Sequence, residues 1–271
     1  MMMKSLETRS LSILARLPLI SFYARTRGGY FVLSWCHRLT GILLVTYVWY
    51  HIYTLLSLVK PAAYDAKMEV YGHPIFSFLE WGLAVPVIFH ALNGGRLILY
   101  ESFGRRDDES MVRWLTGLSL LYVVLFGILL RMGNQTVSAL FYWLTSFALA
   151  LTLTYGAARS IVTTANSIYW KLQRISAVYL LIMIPAHLVF MHLNPAIGKE
   201  AETVIARLQN PFIKAVDISL VAGTMYHAGH GLIAILRDFL SRRALRSALS
   251  ILVTALVSIF AYFAIRLTAL A

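Results

Sequence analysis

Four histidines, His51, His90, His187 and His227, lie inside long apolar runs of this 271-residue chain, and the residues around them repeat. His51 follows Arg38 by thirteen residues and His187 follows Arg174 by thirteen, with Thr40 and Ser176 at one shared offset after each arginine. His90, in FHALNGGRLILYESF, and His227, in YHAGHGLIAILRDF, each follow an aromatic residue and precede an alanine. A glycine comes four residues later (Gly94, Gly231) and an acid eleven later (Glu101, Asp238). The two sets are offset by 136 to 137 residues, which reads as an internal duplication. A neutral imidazole offers one lone pair to a metal while its other nitrogen donates to a carbonyl or a neighbour. One histidine in an apolar segment is as often a hydrogen-bonded core residue. Four at duplicated positions point instead to ligation, two imidazoles facing each other from different helices as in a bis-histidine haem site.

The elements that must position them are membrane spans. With 59% hydrophobic and 13% charged residues, the chain has too few polar groups to cover a soluble domain. A bilayer core needs about 20 apolar residues per helix, and seven segments qualify: 31–58, 76–100, 112–131, 139–158, 173–193, 214–236 and 247–269. Glycines interrupt the second and sixth, and Pro86 and Pro185 fall inside the second and fifth, which neighbouring helices make tolerable. With the N-terminus in the cytoplasm, sixteen basic residues fall in inner segments and seven in outer ones, as the positive-inside rule asks. The net charge of +12 is therefore mostly a topology signal, with a second use as a docking face for a partner or acidic lipid; nucleic acid is a poor reading of it. Residues 1–30 lack a signal-peptide cleavage site and read as an amphipathic segment on the inner surface. The lone Cys36 excludes a disulfide framework or an iron–sulfur cluster held by this chain alone and reads as a small buried side chain.

Depth decides the pairing. The first and fifth spans run outward and carry His51 and His187 past their middles; the second and sixth run inward and carry His90 and His227 past theirs. At about 1.5 Å rise per residue, His51 pairs with His187 toward the outer surface and His90 with His227 toward the inner one. Two haems stacked across the membrane would follow. Gly94 and Gly231 lie on the ligand face one turn on, where a larger side chain would press on a porphyrin; helix packing is the other use of such glycines.

The pieces Ser34-Trp-Cys-His37-Arg38-Leu-Thr40-Gly41 and His90-Ala-Leu-Asn-Gly94-Gly-Arg96 resemble the S-x-x-H-R-x-[ST]-G and H-x-x-x-G-x-R signatures of the cytochrome b membrane anchor of succinate dehydrogenases and fumarate reductases. The two halves resemble the single-chain, dihaem branch. That resemblance implies an all-α integral membrane helix bundle of two parallel-related halves, carrying two haems b and no succinate site of its own. A flavoprotein and an iron–sulfur subunit would dock on the cytoplasmic side of a bacterial inner membrane, and electrons would pass to or from quinone. It leaves room for a higher oligomer. Ser34 and Arg38 match inner quinone-site residues of monohaem members, whereas dihaem members place quinone at the outer side, where Glu69, Glu80 or His73 would serve. His37 and Arg38, and Gln173 and Arg174 in the second half, stand where haem propionates would be met, since Arg pairs bidentately with carboxylates; Arg38 snorkelling to the interface is the plainer use. His192 and His230 read as neighbours of the site or interface residues.

The chain also departs from that family. Dihaem anchors have five spans, so spans three and four, 112–158, read as an added helical hairpin, the chain dividing as 31–131, an extra span in 132–160, and 161–271. The position two before the fourth ligand, a glutamate in well-known dihaem fumarate reductases, is Met225. A dihaem cytochrome b of a hydrogenase or formate dehydrogenase is the nearest alternative. A haem-free transporter is further off, because both matched helices run the same way while transporter repeats are commonly inverted.

Overall fold

The computed structural model describes residues 27–104, 107–132, 136–193 and 195–268. The expected N-terminal amphipathic segment lies almost wholly outside them. Among the described residues seven helices are long and apolar enough to cross a membrane. In chain order these are α1 (Gly29–Leu55, extended by a tight helical turn over Leu56–Val59), α3 (Pro74–Phe103), α4 (Asp108–Met132), α5 (Ala139–Ile161), α6 (Ile168–Leu193), α9 (Pro211–Phe239) and α10 (Arg243–Thr268). Three short helices, α2 (Pro61–Tyr71), α7 (Pro195–Lys199) and α8 (Ala201–Leu208), cap one end of the bundle. The chain is a multi-pass membrane protein.

Local chemistry sets the ends of the ligand-bearing helices. Pro74 and Pro211 start α3 and α9 where no backbone donor is needed. Ahead of them the His73 ring and the Asn210 side chain accept the first free amides, Asn210 Oδ1 from Phe212 and Ile213 at 3.0 and 3.2 Å. Gly104, at φ +64°, closes α3 in the left-handed conformation that suits glycine. Neither the glycines nor Pro86 and Pro185 break their helices, which stay continuous over 26 to 30 residues.

Packing follows the duplication. Helices α1, α3, α6 and α9 form a ring in that order, α9 closing on α1. Outside it α4 packs on α3 and α6 as α10 packs on α9 and α1. The third span is thus the counterpart of the seventh, and within the expected 112–158 hairpin only α5 has no equivalent. It packs chiefly on α6. The linking segments of the two halves make the cap together: Tyr64 donates to the Gly198 carbonyl at 2.6 Å, and the Asp65 carboxylate accepts the Ala201 amide at 2.8 Å, satisfying the N-terminus of α8. Burial among Leu58, Ala201, Val204 and Leu208 pushes the Tyr64 hydroxyl up to about 12.

The bundle is apolar outside and mostly apolar within, with a few polar side chains buried among its helices. Leu39, Leu120, Val124 and Ile251 are exposed, while Asn93 and Gln173 are buried. The apolar exterior suits a hydrocarbon solvent, in which only internal partners can satisfy a polar group.

Candidate metal centres

The ring places helices bearing paired histidines diagonally. His51 on α1 faces His187 on α6 with ring centroids 6.2 Å apart and planes at 84°. His90 on α3 faces His227 on α9 at 6.2 Å and 89°. A metal bound at about 2 Å by one nitrogen of each ring sets imidazole centroids about 6 Å apart. All four histidines are half-buried.

The donor sets suit the same ligand. The ring nitrogens Nδ1 of His187 and His227 are buried with no protein partner. His90 Nδ1 lies 3.0 Å from the His37 carbonyl, to which it must donate, leaving Nε2 with a free lone pair. Among the described residues no three His, Cys, Asp or Glu side chains gather as a metal site. Two imidazoles facing each other suit an iron whose remaining ligands come from a macrocycle. The residues therefore fit a bis-histidine haem at each pair.

Around the His90–His227 pair the repeat becomes contact. The His37 ring stacks flat on His90, centroids 4.0 Å apart, and a Cβ at Gly41 would come 3.0 Å from His90 Cε1, so glycine there permits the approach. Gln173, the equivalent of His37, donates from Nε2 to the His227 carbonyl at 3.2 Å. Gly94 and Gly231 lie beside this matched pair: a Cβ at Gly94 would meet His37 at 3.6 Å and one at Gly231 would meet Gln173 at 3.7 Å. Arg38 pairs with Asp238 at 2.9 Å and bonds Ser34 on its own helix, while Arg174 donates from Nε to Glu101 at 2.8 Å. Each half's arginine thus holds the other half's acid. Arg96 donates from Nε to Asn93 Oδ1 at 3.0 Å and interacts electrostatically with His37.

At the capped end Glu80 is 3.6 Å from His192 Nε2 and interacts electrostatically with Tyr47 and His51. Glu69 and His73 are exposed. Met225 is buried against Ile52 and Ala264 in an apolar cluster. His230 stacks on Tyr226, centroids 6.1 Å apart.

The repeat holds one more matched pair than the histidine and arginine spacings show. Glu80 stands ten residues before His90 and Asp217 ten before His227, so extending the same offset finds it. Asp217 interacts with Arg207, whose guanidinium burial pulls below its ordinary range and which donates to Met191 Sδ at 3.2 Å. Trp143 of α5 was equally hidden; its ring lies 6.3 Å from His187.

A family model described as "Succinate dehydrogenase/Fumarate reductase transmembrane subunit" matches residues 30–131 and 152–263. The chain is 38% identical to Succinate dehydrogenase 2 membrane subunit SdhC of Mycobacterium tuberculosis over 95 residues, which is 34% of this chain and 69% of that relative. No solved structure matches it.

Proposed function

Because this chain belongs to the family of succinate dehydrogenase and fumarate reductase transmembrane subunits, we propose that it is the dihaem, electron-relaying form of that membrane anchor. His51 and His187 hold one haem b, His90 and His227 the other. The observation that carries the reading is the pair of facing imidazoles, each at 6.2 Å and nearly perpendicular. A haem b so held takes up and passes on one electron at a time.

The N-terminus is cytoplasmic in a bacterial inner membrane, which puts Arg38, Arg174 and Arg237 at the inner end. An iron–sulfur subunit docks on that basic face and carries the flavoprotein that interconverts succinate and fumarate. Arg38 and Arg174 flank the inner pair and can exchange Asp238 and Glu101 for haem propionates. The outer pair serves quinone. Reducing quinone to quinol takes two electrons and two protons, and Glu80, with His192 beside it, is a proton-holding group next to His51. Ser34, bonded to Arg38, belongs to the inner end. Met225 contributes no proton-carrying group where it stands.

A dithionite-reduced minus oxidised spectrum of the purified complex, with haem quantified per copy of this chain, tests the proposal. Two haems b are expected. One leaves a single histidine pair in use, and none removes the cytochrome reading.

A further inference from the structure

Because α5 has no counterpart, the two halves differ in which faces are covered. Its Trp143, Phe147 and Ala150 cover α6 and α9: Phe147 meets Tyr179 and Phe212 edge-on at 6.3 and 6.0 Å, and Tyr142 donates to the Ala186 carbonyl at 2.9 Å. The covered residues Tyr179, Met183 and Val216 are 9%, 0% and 0% exposed. Their equivalents in the first half, Leu43, Tyr47 and Leu79, are 50%, 37% and 58% exposed. We propose that α5 is a plug that closes one of two equivalent side openings onto the outer histidine pair, and that the α1/α3 groove it leaves uncovered is the entrance through which quinone reaches that pair from the bilayer.

The groove suits a flat lipid headgroup better than another helix. Where α5 seats on α6 it meets Ala186, Met183 and Tyr179; the first two are replaced on α1 by the bulkier Tyr50 and Tyr47, which hinder close helix packing. Tyr47 is 37% exposed at this uncovered face. Among the described residues its hydroxyl has no hydrogen-bond partner, and in hydrocarbon it needs one; a quinone carbonyl supplies an acceptor. The Tyr47 ring stacks on His51 with centroids 5.9 Å apart, and Glu80 lies within electrostatic reach. On the closed side the corresponding acid, Asp217, is engaged with Arg207.

The proposal rests on the quinone-linked reading, and the complex itself tests it. Reduction of a decyl-tailed benzoquinone is followed with succinate as donor, together with photolabelling by the azido form of that quinone. Leu79→Trp, which narrows the groove, is expected to raise KM by about tenfold with kcat less affected; Tyr47→Phe raises KM with the haem spectrum retained; Leu149→Trp, on the lipid face of α5, changes neither. Label is expected on α1 and α3. Label on α5, α6 or α9, or KM unchanged by both groove substitutions, overturns the entrance while leaving the functional reading intact. Unsubstituted complex that holds haem yet reduces no quinone overturns both.

Discussion

An imidazole inside a bilayer is costly unless its ring nitrogens find partners, and four histidines, His37, His187, His227 and His230, each bury an Nδ1 that no protein group among the described residues meets. His90 finds a partner on one side in the His37 carbonyl. Replacing either member of one pair should therefore remove one haem and spare the other. His51→Ala or His187→Ala is expected to halve haem per chain, as is His90→Ala or His227→Ala, with the two classes losing spectroscopically different haems. Loss of all haem from a single change would point to collapse of the bundle instead. The facing of His51 with His187 and of His90 with His227 was legible because spacing and depth suffice to rank four histidines along helices of alternating direction. The partners of Gly94 and Gly231 were not. Which side chain lies over a glycine depends on the rotation of a neighbouring helix, and here His37 and Gln173 lie at ordinary contact distance.

Helix boundaries followed from hydropathy and from Pro and Gly punctuation, so all seven spans were legible in sequence to within several residues. Which groove each span occupies was not, since a lipid-facing helix is apolar all round and carries little directional pattern. The 112–158 hairpin divides for this reason: α4 takes the place in its half that α10 holds in the other, and α5 alone is additional. Continuity of α9 matters most at its start, because Pro211 removes one donor and Asn210 satisfies the next two amides. Asn210→Ala leaves those amides unpaired and should cost about 1 kcal/mol, seen as a lower thermal midpoint in detergent by circular dichroism. Haem content at room temperature should be unchanged, because His227 lies more than four helical turns away.

At the scale of the whole bundle, two halves are held by reciprocal ion pairs, Arg38 with Asp238 and Arg174 with Glu101. The repeat showed the four residues as equivalents, but equivalence in sequence does not say that each arginine crosses to the opposite half. A ring of four helices in which α1 meets α9 and α3 meets α6 brings them together. Exposed pairs of this kind contribute little in water, and at a membrane surface with both partners partly covered they gain from lower screening. Glu101→Arg sets two guanidiniums against each other and should lower the thermal midpoint of the bundle. Adding Arg174→Glu reverses the pair and should recover most of that loss. The same double variant separates two uses of Arg174. If the arginine only staples the halves, haem returns with stability. If it also meets a propionate of the inner haem, the midpoint recovers while inner-haem content stays low, because the reversal moves the guanidinium to α3 and leaves a carboxylate on α6 facing the propionate.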